Sequence, residues 1–241
     1  MRLLVAPDYT ALSEAAAELV LNALRAKPNL TLGLPTGETP IGMYNALVRR
    51  YRAEHLDFSQ VRTFNLDEYL GVAPAHPNSY HSYMRERFFD HVNIPMVNQH
   101  IPDGSPGIDA AVECEKYESA IRDNGGIDLL IAGIGANGHI AFNEPGSRLD
   151  SRTRAVDLSP ETIANASRSF HDKSAVPRRA ITMGVASILE ARRILLLASG
   201  AHKADAVRRA LDGPVAESAP ASALQLHPRV IVLVDEAARG A

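Results

Sequence analysis

A glycine-rich stretch near the middle of the chain, GIGANGHIAFNEPG from Gly133 to Gly146, carries side chains that can transfer protons. His139 and Glu144 lie five residues apart, in a loop that a proline and a glycine force to fold back. A carboxylate that reaches an imidazole fixes its tautomer and holds it for acid–base chemistry. The alternative is a histidine that only caps the end of a strand. The glycines, Asn137 and the glutamate together favour a functional loop.

The first six residues of this stretch also match G-x-G-x-x-G, the fingerprint of a dinucleotide-binding turn. That fingerprint needs a helix directly after its glycines, because the pyrophosphate binds at the N-terminus of that helix. Pro145 and Gly146 follow within eight residues of Gly138, which leaves no room for a crossover helix. We therefore predict a ligand-binding loop at the carboxyl end of a strand and no dinucleotide site.

A second loop, in LTLGLPTGETPIGMY, is typical of a phosphate site between a strand and a helix. Free N–H groups at a helix N-terminus and the hydroxyls of Thr36 and Thr39, together with Gly37, can bind an anion. It is not a P-loop, since no Lys follows the last glycine. Thr39 as N-cap and Pro40 in the first helical turn explain the same residues structurally, so both interpretations stay open.

A third loop, in VRTFNLDEYLG, places Asp67 and Glu68 directly after a predicted strand. Side chains of adjacent residues diverge, so we expect one carboxylate to act and the other to support it. A phosphorylated ligand also needs cations, and Arg168 and Lys203 are candidates, although a surface charge is the default interpretation of either.

The elements that must position these loops are predicted from apolar runs and helical spacing. Runs such as IDLLIAG and VIVLVD are continuous, as in strands covered on both faces. The predicted strands are Arg2–Ala6, Leu30–Leu34, Val61–Leu66, Ile127–Ala132, Arg193–Ala198 and Arg229–Val234. The predicted helices are 12–26, 40–53, 79–90, 108–124, 183–191 and 201–212. Alternating strands and helices indicate an α/β fold, with a doubly wound, mostly parallel, Rossmann-like sheet flanked by helices in a single domain, 1–241.

Composition excludes several classes of protein. The net charge of -3, the absence of Trp and an aromatic content of 5% disfavour nucleic-acid binding. No apolar run approaches the roughly 20 residues of a membrane-spanning helix, and the N-terminus does not resemble a signal peptide. A single cysteine, Cys114, excludes an intrachain disulfide. We expect a cytoplasmic protein that binds no nucleic acid and no membrane; a homo-oligomer is compatible with the sequence.

The motifs LPTGETP, TFNLDEYLG, HPNSYHSYM, GIGANGHIAFNEPGS, SRTR, AITMGVASIL and LQLHP resemble, in this order, those of the glucosamine-6-phosphate deaminase family. The resemblance covers essentially the whole chain. It implies an isomerase-deaminase (hydrolase) of amino-sugar and N-acetylglucosamine catabolism, which converts D-glucosamine 6-phosphate and water to D-fructose 6-phosphate and ammonia. It implies no metal and no organic cofactor, with the sugar phosphate as the small-molecule partner.

The resemblance also implies roles for individual residues. His139 opens the sugar ring, Glu144 holds His139, and Asp67 moves a proton from C2 to C1. Asn137 orients His139, at a position where one branch of the family has Asp. Phosphate binding is implied for Thr36, Gly37, Thr39, Arg168 and Lys203.

Two expectations qualify this reading. A solvated Asp, with a pKa of about 3.9, is a weak base toward a C–H bond, so Asp67 must be desolvated. No activation by an effector sugar phosphate is expected, because the chain ends at Ala241 and Val156 replaces a Lys of the family's effector site. The alternatives are a 6-phosphogluconolactonase on the same fold and a non-catalytic sugar-phosphate sensor.

Overall fold

A computed structural model describes residues 1–167, 170 and 176–240. Within these residues seven strands form one parallel sheet, in the order β1-β10-β9-β6-β2-β3-β5, and three more form a small antiparallel sheet, in the order β4-β8-β7. The strands are β1 (Arg2–Ala6), β2 (Thr31–Leu34), β3 (Arg62–Asn65), β4 (Asp67–Tyr69), β5 (Gln99–His100), β6 (Leu129–Gly133), β7 (Arg154–Asp157), β8 (Arg179–Thr182), β9 (Ile194–Ala198) and β10 (Val230–Asp235). The predicted α/β class with a mostly parallel sheet is confirmed.

The continuous apolar runs are explained by burial on both faces of the large sheet. In β6, Leu129 and Ile131 join one hydrophobic cluster, whereas Leu130 and Ala132 join another. The first cluster includes residues of α1, α2 and α3, and the second includes residues of α4, α6, α7 and α8. Since successive side chains of a strand point to opposite faces, every position of β6 had to be apolar or small.

The helices cover these two faces. They are α1 (Tyr9–Ala26), α2 (Ile41–Glu54), α3 (Tyr80–Arg87), α4 (Ala110–Asp123), α5 (Pro160–Ala166), α6 (Val185–Leu189), α7 (Ala204–Asp212) and α8 (Glu236–Arg239). Three predicted helices were too long: 79–90 ends at Arg87, 183–191 shrinks to α6, and 201–203 is a 3-10 turn ahead of α7. In these three segments the apolar spacing typical of a helix continues into the neighbouring turns, so the predicted helices extended beyond the observed ones. No described helix is long and apolar enough to cross a membrane.

The small antiparallel sheet starts where the third predicted strand ends. Leu66 is its junction with the large sheet, since its N–H donates to Leu34 O at 3.2 Å and its carbonyl accepts from Met183 N at 2.7 Å. The next residue, Asp67, pairs with Thr182 of β8. The predicted strand over 61–66 is confirmed as β3, and β4, which begins directly after it in the second sheet, was not predicted.

Loops at the carboxyl edge of the large sheet follow four neighbouring strands, β9, β6, β2 and β3. Adjacent strands lie about 4.8 Å apart, so these loops fall within roughly 15 Å of one another along the edge. The three predicted functional loops and the segment with Lys203 are the ones that follow these strands. The topology therefore brings them to one crevice.

Candidate active site

The glycine loop is built around the imidazole of His139. The loop closes through two hydrogen bonds, from Gly135 N to His139 O and from Gly138 N to Gly135 O, both 2.9 Å. Gly138 has a φ of +93°, which favours glycine. A Cβ atom at Gly135 would lie 2.2 Å from His139 Nδ1, so the ring lies directly against this glycine. The described residues between β6 and β7 contain no helix, so the context of a dinucleotide fingerprint is missing.

His139, Asn137 and Glu144 meet inside this loop. Asn137 Nδ2 donates to Glu144 Oε2 at 2.8 Å, and Asn137 Oδ1 accepts from the backbone N of His139 at 3.1 Å. His139 Nδ1 lies 3.5 Å from Glu144 Oε2, and it makes no hydrogen bond to the described residues. That distance is an electrostatic contact with unfavourable hydrogen-bond geometry, of the kind that tightens when a catalytic complex forms.

Glu144 is held by donors on both of its oxygens. Besides Asn137, the hydroxyls of Ser159 and Thr162 donate to Oε1 at 3.0 and 2.5 Å. Burial alone raises the pKa of Glu144, but the His139 imidazole and the donors Thr162 and Asn137 outweigh it and lower the pKa to about 2. Glu144 is therefore a fixed anion beside the imidazole.

Asp67 lies in the opposite electrostatic environment. It is 6% exposed and its carboxylate makes no hydrogen bond to the described part of the chain. Burial, followed by the charge of Glu68, raises the pKa of Asp67 from 3.8 to about 8. Asp67 is therefore desolvated, as we expected from the sequence for a base at this position.

Asp67 and the glycine loop are joined through β8. Phe142 N donates to Thr182 Oγ1 at 3.0 Å, and Thr182 is the β8 residue that pairs with Asp67. Asn143, fully buried, donates to Met183 O at 2.8 Å. Asp67 and the glycine loop therefore share β8 and the residue that follows it as their support.

Tyrosine hydroxyls bind the carbonyl groups of the predicted phosphate loop. Tyr83 Oη donates to Gly37 O at 2.6 Å, and Tyr9 Oη bonds to Glu38 O and Thr39 O at 3.2 and 3.1 Å. The N–H groups of Thr36 and Gly37 donate to no described residue, so they are open to an anion.

The structural interpretation of Thr39 is wrong. Helix α2 begins at Ile41, Pro40 holds the cap position, and no side chain caps the helix. The Thr39 hydroxyl therefore bonds to no residue that the structure describes, and it stays open for a ligand.

Lys203 is the one of the two predicted phosphate-binding cations, Arg168 and Lys203, that lies within the described residues. It is half-buried, and its ammonium forms no ion pair with the described residues. Burial lowers the pKa of Lys203, against the opposing charges of Glu161 and Glu38. Buried Asp235 fixes the preceding turn by accepting from the Ser199 hydroxyl and from Gly200 N. Arg168, the other predicted cation, lies outside the described residues.

Several residues of the site were missed by sequence reasoning. Tyr9 and Tyr83 brace the phosphate loop, and Ser159 and Thr162 bind Glu144, from elements far away in the chain. Hydroxyl residues are too common for their spacing to signal such contacts. Among the described residues, no group of three or more His, Cys, Asp or Glu side chains is arranged to hold a metal ion.

Known proteins resemble this chain over nearly its full length. The family described as glucosamine-6-phosphate isomerases/6-phosphogluconolactonase matches residues 7–232. A glucosamine-6-phosphate deaminase of Halothermothrix orenii is 52% identical over 99% of this chain and 98% of its own. Glucosamine-6-phosphate deaminase 2 of Bacillus subtilis (strain 168) is 48% identical over 98% of this chain and 95% of its own.

Solved structures show the same relationship. That of a monomeric glucosamine-6-phosphate deaminase superimposes with a TM-score of 0.96 at 44% identity, over 99% of both chains. That of a 6-phosphogluconolactonase from Thermotoga maritima has a TM-score of 0.77 at 21% identity, over 98% of this chain and 99% of its own, which shows a shared fold. The chain belongs to the family of glucosamine-6-phosphate isomerases and 6-phosphogluconolactonases.

Proposed function

We propose that this protein is a glucosamine-6-phosphate deaminase. Relatives of this name are about half identical to it in sequence over nearly the whole chain. The observation that carries the proposal is the buried Asp67 carboxyl, which has no partner in the described part of the chain and a pKa raised to about 8. It follows β3, which lies beside the strand that carries the predicted phosphate loop and two strands from the one that carries the histidine–glutamate pair, an arrangement suited to proton transfer on a phosphorylated sugar.

The phosphate group binds first in this mechanism. The N–H groups of Thr36 and Gly37, the Thr39 hydroxyl and the ammonium of Lys203 surround it, together with Arg168. Because the phosphate does not react, its binding energy serves to orient the sugar over the side chains that do.

His139 then opens the pyranose by moving a proton from the anomeric hydroxyl to the ring oxygen. The Glu144 carboxylate stabilises the imidazolium that forms during this transfer, and Asn137 keeps Glu144 in place. The product of this step is the open-chain aldehyde.

Asp67 carries out the isomerisation. Its carboxylate removes the proton from C2, and the electrons of that bond form the C1=C2 double bond of an enolamine while a proton passes from the C2 ammonium group to the aldehyde oxygen. Asp67 then returns its proton to C1, and the lone pair of the nitrogen forms an iminium at C2. Water adds to the iminium carbon, its two protons pass to the nitrogen, and the C2–N bond breaks, which releases ammonia as ammonium and leaves the 2-ketose, fructose 6-phosphate. The reaction thus joins an aldose–ketose isomerisation to a hydrolytic deamination. In this proposal all the steps take place in the single domain predicted for 1–241.

Ammonium release from glucosamine 6-phosphate tests the proposal. The wild-type protein should release ammonium, and Asp67→Asn should release it about 10³-fold more slowly, because the base is lost. No release by the wild type would reject the deaminase, and equal release by the variant would reject Asp67 as the base. Hydrolysis of 6-phosphogluconolactone without ammonium release would indicate the lactonase, and sugar-phosphate binding with neither activity would indicate a sensor.

The role of His139 has its own test. His139→Gln should slow turnover of the cyclic substrate by about 10²-fold, since ring opening loses its proton carrier. An open-chain analogue that cannot cyclise should be processed at nearly the wild-type rate. If the variant processed both compounds equally poorly, His139 would have a different role.

A further inference from the structure

Glu68 is a buried carboxylate that the proposed mechanism does not use. It is 0% exposed, and three backbone N–H groups donate to it. Its Oε1 accepts from Tyr69 N at 2.8 Å and Tyr80 N at 3.0 Å, and its Oε2 accepts from His81 N at 3.1 Å and contacts His81 Nδ1 at 3.0 Å. Because a backbone N–H can only donate, both carboxylate oxygens of Glu68 act as hydrogen-bond acceptors at this site.

This carboxylate binds the first turn of α3, whose N-cap is Ser79. Tyr80 and His81 are the first two residues of α3, and their N–H groups are among those that a helix leaves unpaired at its start. A buried anion at this end is favoured by both the free N–H groups and the helix dipole. The bonds therefore tie α3 to β4, the strand that carries Asp67.

The first turn of α3 in turn reaches the phosphate loop. Tyr83 Oη donates to Gly37 O at 2.6 Å, and the side chain of Thr36 acts on the Tyr80 hydroxyl and opposes the rise of its pKa. The Tyr80 ring also stacks on Phe142 of the glycine loop, with centroids 6.1 Å apart and planes 13° apart. A shift in the start of α3 would move these contacts together.

Glu68 also acts on Asp67 by its charge. The groups that interact electrostatically with Asp67 are Glu68 and Tyr69 from its own strand, Tyr80 from α3 and Tyr117 from α4. The three phenols are neutral, since burial raises the pKa of each one. Glu68 is the charged member of this group, and its nearest titratable neighbour, His81, also faces Asp103.

We propose that Glu68 is a positioning residue of the deaminase, an inference that rests on the proposed function. Its carboxylate holds the start of α3, from which Tyr80 and Tyr83 reach the phosphate loop, and it places its negative charge beside Asp67. One side chain thereby couples phosphate binding to the strength of the base.

The charge is tested by the pH dependence of kcat/KM in Glu68→Gln. Burial and Glu68 both raise the pKa of Asp67, so removing the charge lowers that pKa and leaves the contribution of burial. The acid limb should move by about one pH unit toward lower pH. Glu68→Asp keeps the charge but shortens the side chain, so its acid limb should stay in place.

The positioning is tested by KM. Both Glu68 variants should raise KM for glucosamine 6-phosphate about tenfold, because the helix start shifts away from the phosphate loop. Tyr83→Phe, which loses only the hydroxyl bound to Gly37 O, should raise KM about threefold and leave the acid limb unchanged. If neither Glu68 variant folds, Tyr83→Phe decides the positioning, and an unchanged KM would overturn it.

Asp109→Asn is the matched control. Asp109 is an exposed carboxylate that caps α4 by accepting from Ala111 N at 3.0 Å and Val112 N at 3.2 Å. Its loss should lower thermal stability without changing KM or the acid limb. Wild-type ammonium release tests the proposed function separately. With an active wild type, a folded Glu68→Gln with unchanged acid limb and unchanged KM would refute the inference.

Discussion

Asp67 and Glu144 are two carboxylates of one site with opposite surroundings. Asp67 is nearly inaccessible to solvent and has no hydrogen-bond donor among the described residues, and its pKa rises to about 8. Glu144 is also largely buried, but it accepts from Asn137, Ser159 and Thr162 and faces His139, and its pKa falls to about 2. Burial is thus common to both, and the donors decide the direction.

The difference in hydrogen-bond donors suits the two carboxylates to different roles. A carboxyl without donors accepts a proton readily, which is what a base near neutral pH needs. A carboxylate with several donors keeps its charge throughout the reaction and can only orient and stabilise its neighbour. In the proposed mechanism a carboxylate therefore reacts at one position, Asp67, and orients its neighbour at the other, Glu144.

The largest effects on activity are expected when each of the two carboxylates is neutralised in turn. Asp67→Asn should reduce kcat about 10³-fold and Glu144→Gln about 10²-fold. Their effects on stability should have opposite signs. The raised pKa of Asp67 means that its contribution to stability is lost as pH rises from about 4 to 8, so at pH 8 Asp67→Asn should raise Tm.

For Glu144 the sign reverses. Its lowered pKa contributes stability above about pH 4.5, and this is lost as pH falls through 2, so at pH 8 Glu144→Gln should lower stability by ~2 kcal/mol. Thermal unfolding of both variants at pH 8 measures this. Two shifts of the same sign would show that the surroundings of the carboxylates do not differ as described.

A second test displaces the imidazole of His139, which faces Glu144, and leaves both carboxylates unchanged. Gly135→Ala places a Cβ atom 2.2 Å from His139 Nδ1, so the ring must move, and kcat/KM should fall about 10²-fold. Gly133→Ala is the control in the same motif, since a Cβ atom there meets no heavy atom within 4 Å. Equal kinetics of the two variants would contradict the placement of the ring.

The raised pKa of Asp67 also predicts the pH dependence of the wild type. Only the ionised carboxylate removes a proton, so kcat/KM should rise about tenfold per pH unit below pH 8 and level off above it. Steady-state ammonium release between pH 5.5 and 9.5 measures the profile. A plateau reached already at pH 5 would mean that Asp67 is solvated or has a donor in solution.

The smallest effect is expected at Asn137. In Asn137→Asp the donor to Glu144 Oε2 is replaced by a second carboxylate, which raises the pKa of Glu144 and weakens its hold on the loop. Because the other donors remain, kcat/KM should fall only about threefold at pH 8. A loss as large as that of Glu144→Gln would show that Asn137, rather than Ser159 and Thr162, fixes the glutamate.

The large sheet was predictable because its signal is strong and repeated. Strands such as Ile194–Ala198 are apolar at every position, and only a strand covered on both faces requires that. The carboxyl-edge loops followed from this, since parallel strands place their ends together. The location of Asp67, His139 and Lys203 at one edge was therefore accessible from sequence.

The rest of the site was not accessible, for physical reasons. Strand β4 is three residues long, begins with two acids and has no apolar pattern, so only its pairing with β8 reveals it. Strand β5 is a two-residue polar edge, Gln99–His100. The divergence of Asp67 and Glu68 was expected from the backbone, but the donors that distinguish them come from α3, whose position no local pattern specifies.

Leu66 links the two sheets and stands one residue before Asp67. Because Leu66 is hydrogen-bonded to both sheets, we expect the position of Asp67 to tolerate changes elsewhere, such as longer helices or exchanged surface loops. Replacing Leu66 by proline, which removes its N–H, would instead displace Asp67 directly.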